Sequence, residues 1–268
     1  MEMTDKLDFL LKVAKEAAVS SGKILKEGFR TSFKINNKPG IHNLVTEYDF
    51  KSEKNIIGLI KNNFPSHCIL SEECGIKKSE DEDVCWIIDP LDGTVNFAHG
   101  IPVFGINVAV KEKDEIILGV TYQPLTDELF IGIKGLGATL NGQPIKVSAT
   151  KKLKDAIVGT GFPYNLHENP NRCIERFFSI AKLGIPIRRL GAACIDFAYL
   201  ASGRYDAFWE TNLGPWDCAA GKVILEEAGG KITNWQGKPF LLQEKNQVIA
   251  TNGLIHSEIE KVFKQYDH

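Results

Sequence analysis

The stretch Trp86-Ile87-Ile88-Asp89-Pro90-Leu91-Asp92-Gly93-Thr94 runs from an apolar strand into a tight acidic turn. The apolar residues predict a buried strand that delivers Asp89 at its end, where Pro90 stops the ladder and fixes φ. Gly93 then permits a sharp backbone turn. Two carboxylates three residues apart across such a turn can converge on hard cations, and the Leu91 carbonyl can add a third oxygen. If Gly93 and Thr94 open a helix, their N–H groups point at a phosphate beside those cations. The spacing alone is weak, because 34 acidic residues among 268 give about four such pairs by composition. The weight lies in the strand, the proline, the second aspartate and Gly-Thr occurring together.

Three other acidic positions stand outward from this core. Ser71-Glu72-Glu73 follows the apolar run His67–Leu70, and two adjacent carboxylates on an extended strand point to opposite sides, so one of them should reach a shared metal. Thr46-Glu47-Tyr48-Asp49 matches a capping box, in which Asp49 satisfies a helix start. Glu210 and Asp217 flank Gly214-Pro215-Trp216, where Asp217 suits the first turn of the following helix, favoured by its dipole.

The rest of the chain bounds the chemistry. It is 43% apolar and 25% charged, with net charge −2. That excludes a disordered chain, and the balance argues against nucleic acid held through its phosphates. The basic pairs Lys77–Lys78, Lys151–Lys152 and Arg188–Arg189 read as solvated surface. No apolar run approaches the roughly 20 residues of a membrane span, and Glu2, Asp5 and Asp8 stand where a signal peptide would be basic. A cytoplasmic protein that binds neither nucleic acid nor membrane is expected. The six cysteines include no C-x-x-C pair and read as reduced thiols, and the histidines lack zinc spacing. No G-x-S-x-G elbow or phosphate-binding P-loop occurs. Gly135-x-Gly137 and Gly159-x-Gly161 read as turns.

Periodicity predicts a first helix capped at Thr4 or Asp5 and stopped near Gly28, with Leu7, Leu10, Leu11, Ala14 and Ala18 inward. Residues 34–43 read as polar, with a turn at Pro39–Gly40. A second helix from Thr46 is expected to bury Phe50, Ile57, Ile60 and Phe64. Strands follow at His67–Ser71, Val84–Ile88, Val103–Val110, Ile116–Tyr122 and Leu129–Ile133, with a hairpin around Glu112–Glu115. Later come a strand Asp155–Thr160, a helix Asn171–Leu183, a short strand after Pro186, a helix from Ala193 and a strand Tyr205–Glu210. A helix from Trp216 to Gly229–Gly230, strands near Lys231–Trp235 and Val248–Thr251, and a last helix complete the reading. Hairpins mixed with helices suit a layered α/β or α+β sandwich better than a regular βαβ series. The expected organisation is one unit, 1–268, with a half carrying the Asp89–Thr94 motif (1–145) and a half carrying Asp217 (146–268).

Taken together, Leu44-Val45-Thr46-Glu47-Tyr48-Asp49, Ser71-Glu72-Glu73, Trp86 to Phe97, Trp216-Asp217-Cys218-Ala219-Ala220-Gly221 and Glu227-Ala228-Gly229-Gly230 resemble the inositol monophosphatase family, in its order and over nearly the whole chain. The resemblance implies an αβαβα sandwich of mixed and antiparallel sheets with paired helices. It also implies Mg²⁺-dependent, lithium-sensitive hydrolysis of a phosphate monoester by a homodimer, with two to three Mg²⁺ per site. On matching positions, Glu72, Asp89 and the Leu91 carbonyl would hold a first metal, which acidifies water. Asp89, Asp92 and Asp217 would hold a second, which stabilises the leaving oxygen, and Glu72 would help a weaker third. Thr94 with Asp49 behind it would orient the attacking water, and the backbone of Gly93 and Thr94 would grip the phosphate. Asp92, the Ala193 backbone and Glu210 would contact sugar hydroxyls.

The chain departs from the family pattern in places. Asn43 stands where the family often has Asp, Lys38 is one residue farther from it than usual, and Ala192 replaces a commoner hydroxyl residue. Val95 departs from threonine, although Asn96-Phe97 matches inositol-type members. The expected substrate is an inositol monophosphate or a related sugar or polyol phosphate. Fructose-1,6-bisphosphate is the enzymatic alternative, and a catalytically idle metal- or protein-binding module is the alternative of another class.

Overall fold

A computed structural model describes residues 3–38, 43–77 and 81–266. The turn expected at Pro39–Gly40 lies outside them, as do Glu2 and Lys78. The helices are α1 (Met3–Gly28), α2 (Glu47–Asn63), α3 (Thr94–Ala98), α4 (Cys173–Ala181), α5 (Ala193–Ala201), α6 (Pro215–Glu227) and α7 (His256–Phe263). Strands β1 (Ile35–Asn37) and β2 (Leu44–Thr46) form a small antiparallel pair. An eight-stranded sheet contains β3 (His67–Ser71), β4 (Gly75–Lys77), β5 (Asp81–Asp92), β6 (Gly105–Glu112), β7 (Glu115–Gln123), β8 (Glu128–Ile133), β9 (Gly137–Leu140) and β10 (Gln143–Pro144). Its order is β10-β9-β8-β7-β6-β5-β3-β4, antiparallel except between β3 and β5. A second sheet, in the order β12-β11-β13-β15-β14, uses β11 (Val158–Thr160), β12 (Ile187–Arg188), β13 (Ala207–Leu213), β14 (Lys231–Thr233) and β15 (Asn246–Thr251).

The layers follow from which face each strand residue shows. Along β5, Trp86 and Ile88 enter the core under α1 and α2, while Ile87 between them enters the core beneath α5 and α6. Along β13, Phe208 meets that same middle core, while Ala207 and Trp209 face α4 and α7. Period-two alternation therefore makes each sheet two-sided and demands helices on both faces. The result is the αβαβα sandwich: α1/α2, large sheet, α5/α6, small sheet, α4/α7.

Glycines set how closely α6 can approach. A Cβ on Gly119 of β7 would lie 2.7 Å from the Ala220 carbonyl oxygen, and one on Gly132 of β8 would lie 2.6 Å from Ile224 Cα. Bare backbone at both places lets α6 lie against the sheet, which brings Asp217 at its first turn toward the end of β5.

Several expectations need correction. Residues 35–37 form a strand rather than only a polar loop, although all three are exposed and Ile35 is the one apolar residue among them. Phe50 is 48% exposed, and Ile57 and Phe64 are only half-buried; the buried face of α2 carries Asp49, Ser52, Glu53, Ile56 and Ile60. The segment Asp155–Thr160 splits into a 3₁₀ turn, Leu153–Asp155, and β11. Gly159 lies within β11, not in a turn. Pro90 does not end β5: Asp89 pairs with Asn107 and Asp92 with Gly105, so two residues bulge opposite Ile106.

Candidate active site

The bulge is what aims the aspartates. Pro90 has no N–H to give the ladder, so it is tolerated where pairing is already interrupted. Beyond it Gly93 adopts φ 90°, a left-handed conformation, and starts α3. A Cβ there would meet the Val103 carbonyl oxygen at 3.0 Å, so conformation and space both call for glycine.

Asp89, Asp92 and Asp217 bring carboxylate oxygens within 4.8 Å of one another. Each is oriented by backbone. Asp89 accepts from the Leu91 N–H at 3.0 Å, Asp92 from the Cys194 N–H at 2.5 Å, and Asp217 from the Gly214 N–H at 2.7 Å. The Cys194 N–H is one of the free donors in the first turn of α5. Asp217 thus serves the helix start and also joins the cluster. Asn107, the cross-strand partner of Asp89, donates to the Trp216 carbonyl at 3.2 Å and accepts from Thr121 Oγ at 2.7 Å, tying α6 to β6.

Burial holds the Asp89 carboxyl well above the ordinary range, and the charges of Glu72, Asp92 and Asp217 push it the same way. Burial likewise raises Asp217, with Asp92 and Glu72 adding, and lifts Asp92 to about 6 against the Cys194 hydrogen bond. Repelling carboxylates in a buried place form a site that gains from a divalent cation, and the all-oxygen donor set suits a hard ion such as Mg²⁺. The residues present fit that ion.

Thr94 Oγ lies 2.9 Å from Asp49 Oδ1 and 3.0 Å from the Leu91 carbonyl oxygen, its one proton serving one of them at a time. The other Asp49 oxygen accepts from the Thr46 N–H at 2.8 Å and Thr46 Oγ at 2.6 Å, so the capping box and the link to Thr94 coexist. Burial raises Asp49 to about 6, opposed by the Thr46 and Thr94 bonds.

Glu72 stands outside the tight aspartate group. Its Oε1 accepts from Lys38 Nζ at 2.8 Å, and Glu73 Oε1 accepts from the same ammonium at 2.5 Å. The two glutamates therefore converge instead of diverging, because residues 72–74 form a turn, where strand alternation no longer applies. Burial works against the Lys38 charge, yet the paired glutamates hold its pKa above the ordinary lysine value.

On the other side of the site, Glu210 fits beside Gly161, where a Cβ would lie 2.1 Å from its carboxylate oxygens. Burial and the Asp92 charge lift Glu210 to about 8, with Arg189 opposing. Ala193 is buried at the start of α5, one residue before the N–H that holds Asp92. Sequence reasoning missed Cys194, Asn107, Ser52 and Glu53. For the last two the usable signal was the polar run Asp49-x-x-Ser52-Glu53 on one helical face.

The model of the inositol monophosphatase family matches residues 6–268. The chain belongs to the inositol monophosphatase family. Its curated relatives include an inositol-1-monophosphatase of a Synechocystis species, 38% identical over 263 residues, covering 96% of this chain and 91% of that protein. A Pseudomonas aeruginosa relative named Nus factor SuhB is 39% identical over 251 residues, 91% of each chain. Among solved structures, the extragenic suppressor protein suhB from Bartonella henselae superposes with a TM-score of 0.91 at 34% identity, covering 96% of this chain and 98% of that one. Membership makes this chain a phosphatase of the inositol monophosphatase superfamily, which is Mg²⁺-dependent in general. Among the described residues no helix is long and apolar enough to cross a membrane.

Proposed function

We propose that the chain hydrolyses inositol monophosphate, with tolerance for related polyol phosphates, using Mg²⁺ held by Asp89, Asp92, Asp217, the Leu91 carbonyl and Glu72. The observation that carries this reading is the convergence of Asp89, Asp92 and Asp217 beside the Thr94–Asp49 pair. Mg²⁺ held there would acidify water and stabilise negative charge as it spreads over the phosphoryl and leaving oxygens. Asp49 accepts the Thr94 proton and so leaves the Thr94 oxygen free to accept from, and orient, the attacking water. The Gly93 and Thr94 N–H groups offer donors to the phosphate where α3 begins. Ala193 and Glu210 face the alcohol portion, and Glu210 can receive a ring hydroxyl. For Glu72 to serve, it must exchange Lys38 for the ion.

Phosphate release from a panel of inositol, sugar and bisphosphate esters, with Mg²⁺ and with EDTA, tests the proposal. Fastest Mg²⁺-dependent release from inositol monophosphate is expected. Preference for fructose-1,6-bisphosphate would move the substrate assignment, and no release from any ester would favour a binding module. The family resemblance also supports a cytoplasmic homodimer whose sites are each built within one chain. Light scattering that gives a monomer at micromolar concentration would remove the dimer alone.

A further inference from the structure

One face of α2 is polar where a helix packed on a sheet is ordinarily apolar. Asp49, Ser52 and Glu53 stand at i, i+3 and i+4, so they share that face, and they are only 0%, 0% and 7% exposed. Two of them reach the Pro90–Thr94 stretch and the third reaches the turn that follows β3. Asp49 accepts from Thr94, and Ser52 Oγ donates to the Pro90 carbonyl at 2.7 Å. Glu53 Oε1 accepts from Ser71 Oγ at 2.5 Å and from the Cys74 N–H at 3.0 Å. Those two bonds bracket Glu72 and Glu73 on either side of their turn.

We propose that Glu53 is a positioning residue for metal binding: by pinning Ser71 and Cys74 it fixes the turn that aims the Glu72 carboxylate. This rests on the assignment of Glu72 to the metal site made above. A carboxylate is costly to bury unless it is well hydrogen-bonded, and here one oxygen is committed wholly to the turn. Glu72 has few restraints of its own. Its N–H donates to the Ile88 carbonyl at 3.2 Å, and among the described residues its side chain is held by Lys38 alone. With the Glu53 bonds gone, a small rotation of the turn would carry Glu72 away from Asp89 while leaving β3 and β5 paired. A role confined to holding α2 on the sheet would lower stability and leave metal affinity alone.

Calorimetric titration of the full-length chain with Mg²⁺ separates the two roles. Glu53→Ala should weaken Mg²⁺ binding by roughly tenfold or more, the range seen when partners behind a metal ligand are removed. Glu53→Gln should restore most of the affinity, since its amide oxygen can accept the same two bonds. Ser71→Ala, which removes one bond, should fall between them and becomes the deciding variant if Glu53→Ala does not fold. Wild-type affinity in Glu53→Ala, or in Ser71→Ala in its place, with only a lower melting temperature would overturn the proposal. A wild-type chain that binds no Mg²⁺ would instead overturn the metal assignment itself, and this inference with it.

Discussion

Replacing Asp217 with Asn separates its two roles, because the structure gives it both. As a helix-start residue it accepts the Gly214 N–H at 2.7 Å, a bond the Asn carbonyl can keep. On that role alone the change costs a few tenths to about 1 kcal/mol of stability and nothing in turnover. As a member of the aspartate cluster it supplies charge to a cation that stabilises the leaving oxygen. Weakening that cation's hold is expected to remove at least about 2.7 kcal/mol from transition-state stabilisation, a hundredfold in kcat. Stability should move the other way. Burial together with Asp92 and Glu72 raises the Asp217 carboxyl, so in the metal-free chain its charge is a burden that Asn relieves. Steady-state kinetics across Mg²⁺ concentrations, with thermal melts in EDTA, read both effects. The expected result is kcat down about a hundredfold or more, weaker Mg²⁺ activation and an EDTA melting temperature unchanged or raised. Near-normal kcat at saturating Mg²⁺ would return Asp217 to the helix start alone.

Gly161→Ala should cost little stability, since the atoms its Cβ meets are the mobile end of Glu210, but it must displace that carboxylate. KM for inositol monophosphate should rise while p-nitrophenyl phosphate, which has no ring hydroxyls, is hydrolysed as before; equal effects on both would detach Glu210 from the alcohol side. Lithium at roughly tens of millimolar should inhibit uncompetitively with substrate, by occupying a metal position after turnover, and unchanged turnover would argue against an accessible site. His256 is buried with Thr251 Oγ 2.9 Å from Nδ1 and with Thr233 Oγ and Glu260 Oε1 each 3.0 Å from Nε2. Burial, with Lys231 adding and Glu260 opposing, pushes its pKa down to about 4 from 6.5. The unfolded chain therefore takes up this proton first, so the contribution is complete above about pH 6.5 and is lost as pH falls toward 4. With solvent screening allowed for, wild type should lose about 1–2 kcal/mol more than His256→Gln between pH 7 and 5 in urea melts; equal losses would show that the ring is not held neutral.

The sequence was most legible where one residue does one local job. Gly93 is forced by its positive φ, Thr46 by the capping box, and α5 begins at Ala193 where the small-residue run suggested. Legibility failed where a side chain answers to a distant partner. Phe50 has apolar chemistry but lies on the outer face of α2, because Asp49, Ser52 and Glu53 take the inner face to reach the Pro90–Thr94 stretch and the turn after β3. Glu72 and Glu73 read as diverging because strand geometry was extended two residues too far, into a turn. Strands β4 and β9 are short and each opens on a glycine, so their pairing is set by neighbours in the sheet and not by their own pattern. The Asp92–Cys194 bond spans 102 residues and could be inferred only from the helix start that offers the donor.

Crystals soaked in Mn²⁺ as a stand-in for Mg²⁺ would reveal, through anomalous scattering, whether the acidic cluster holds a divalent cation. A peak is expected within coordination distance of Asp89, Asp92 and Asp217, with the Glu72 carboxylate turned from Lys38 toward a peak shared with Asp89 and the Leu91 carbonyl. No anomalous density among the three aspartates at millimolar Mn²⁺ would contradict the metal assignment.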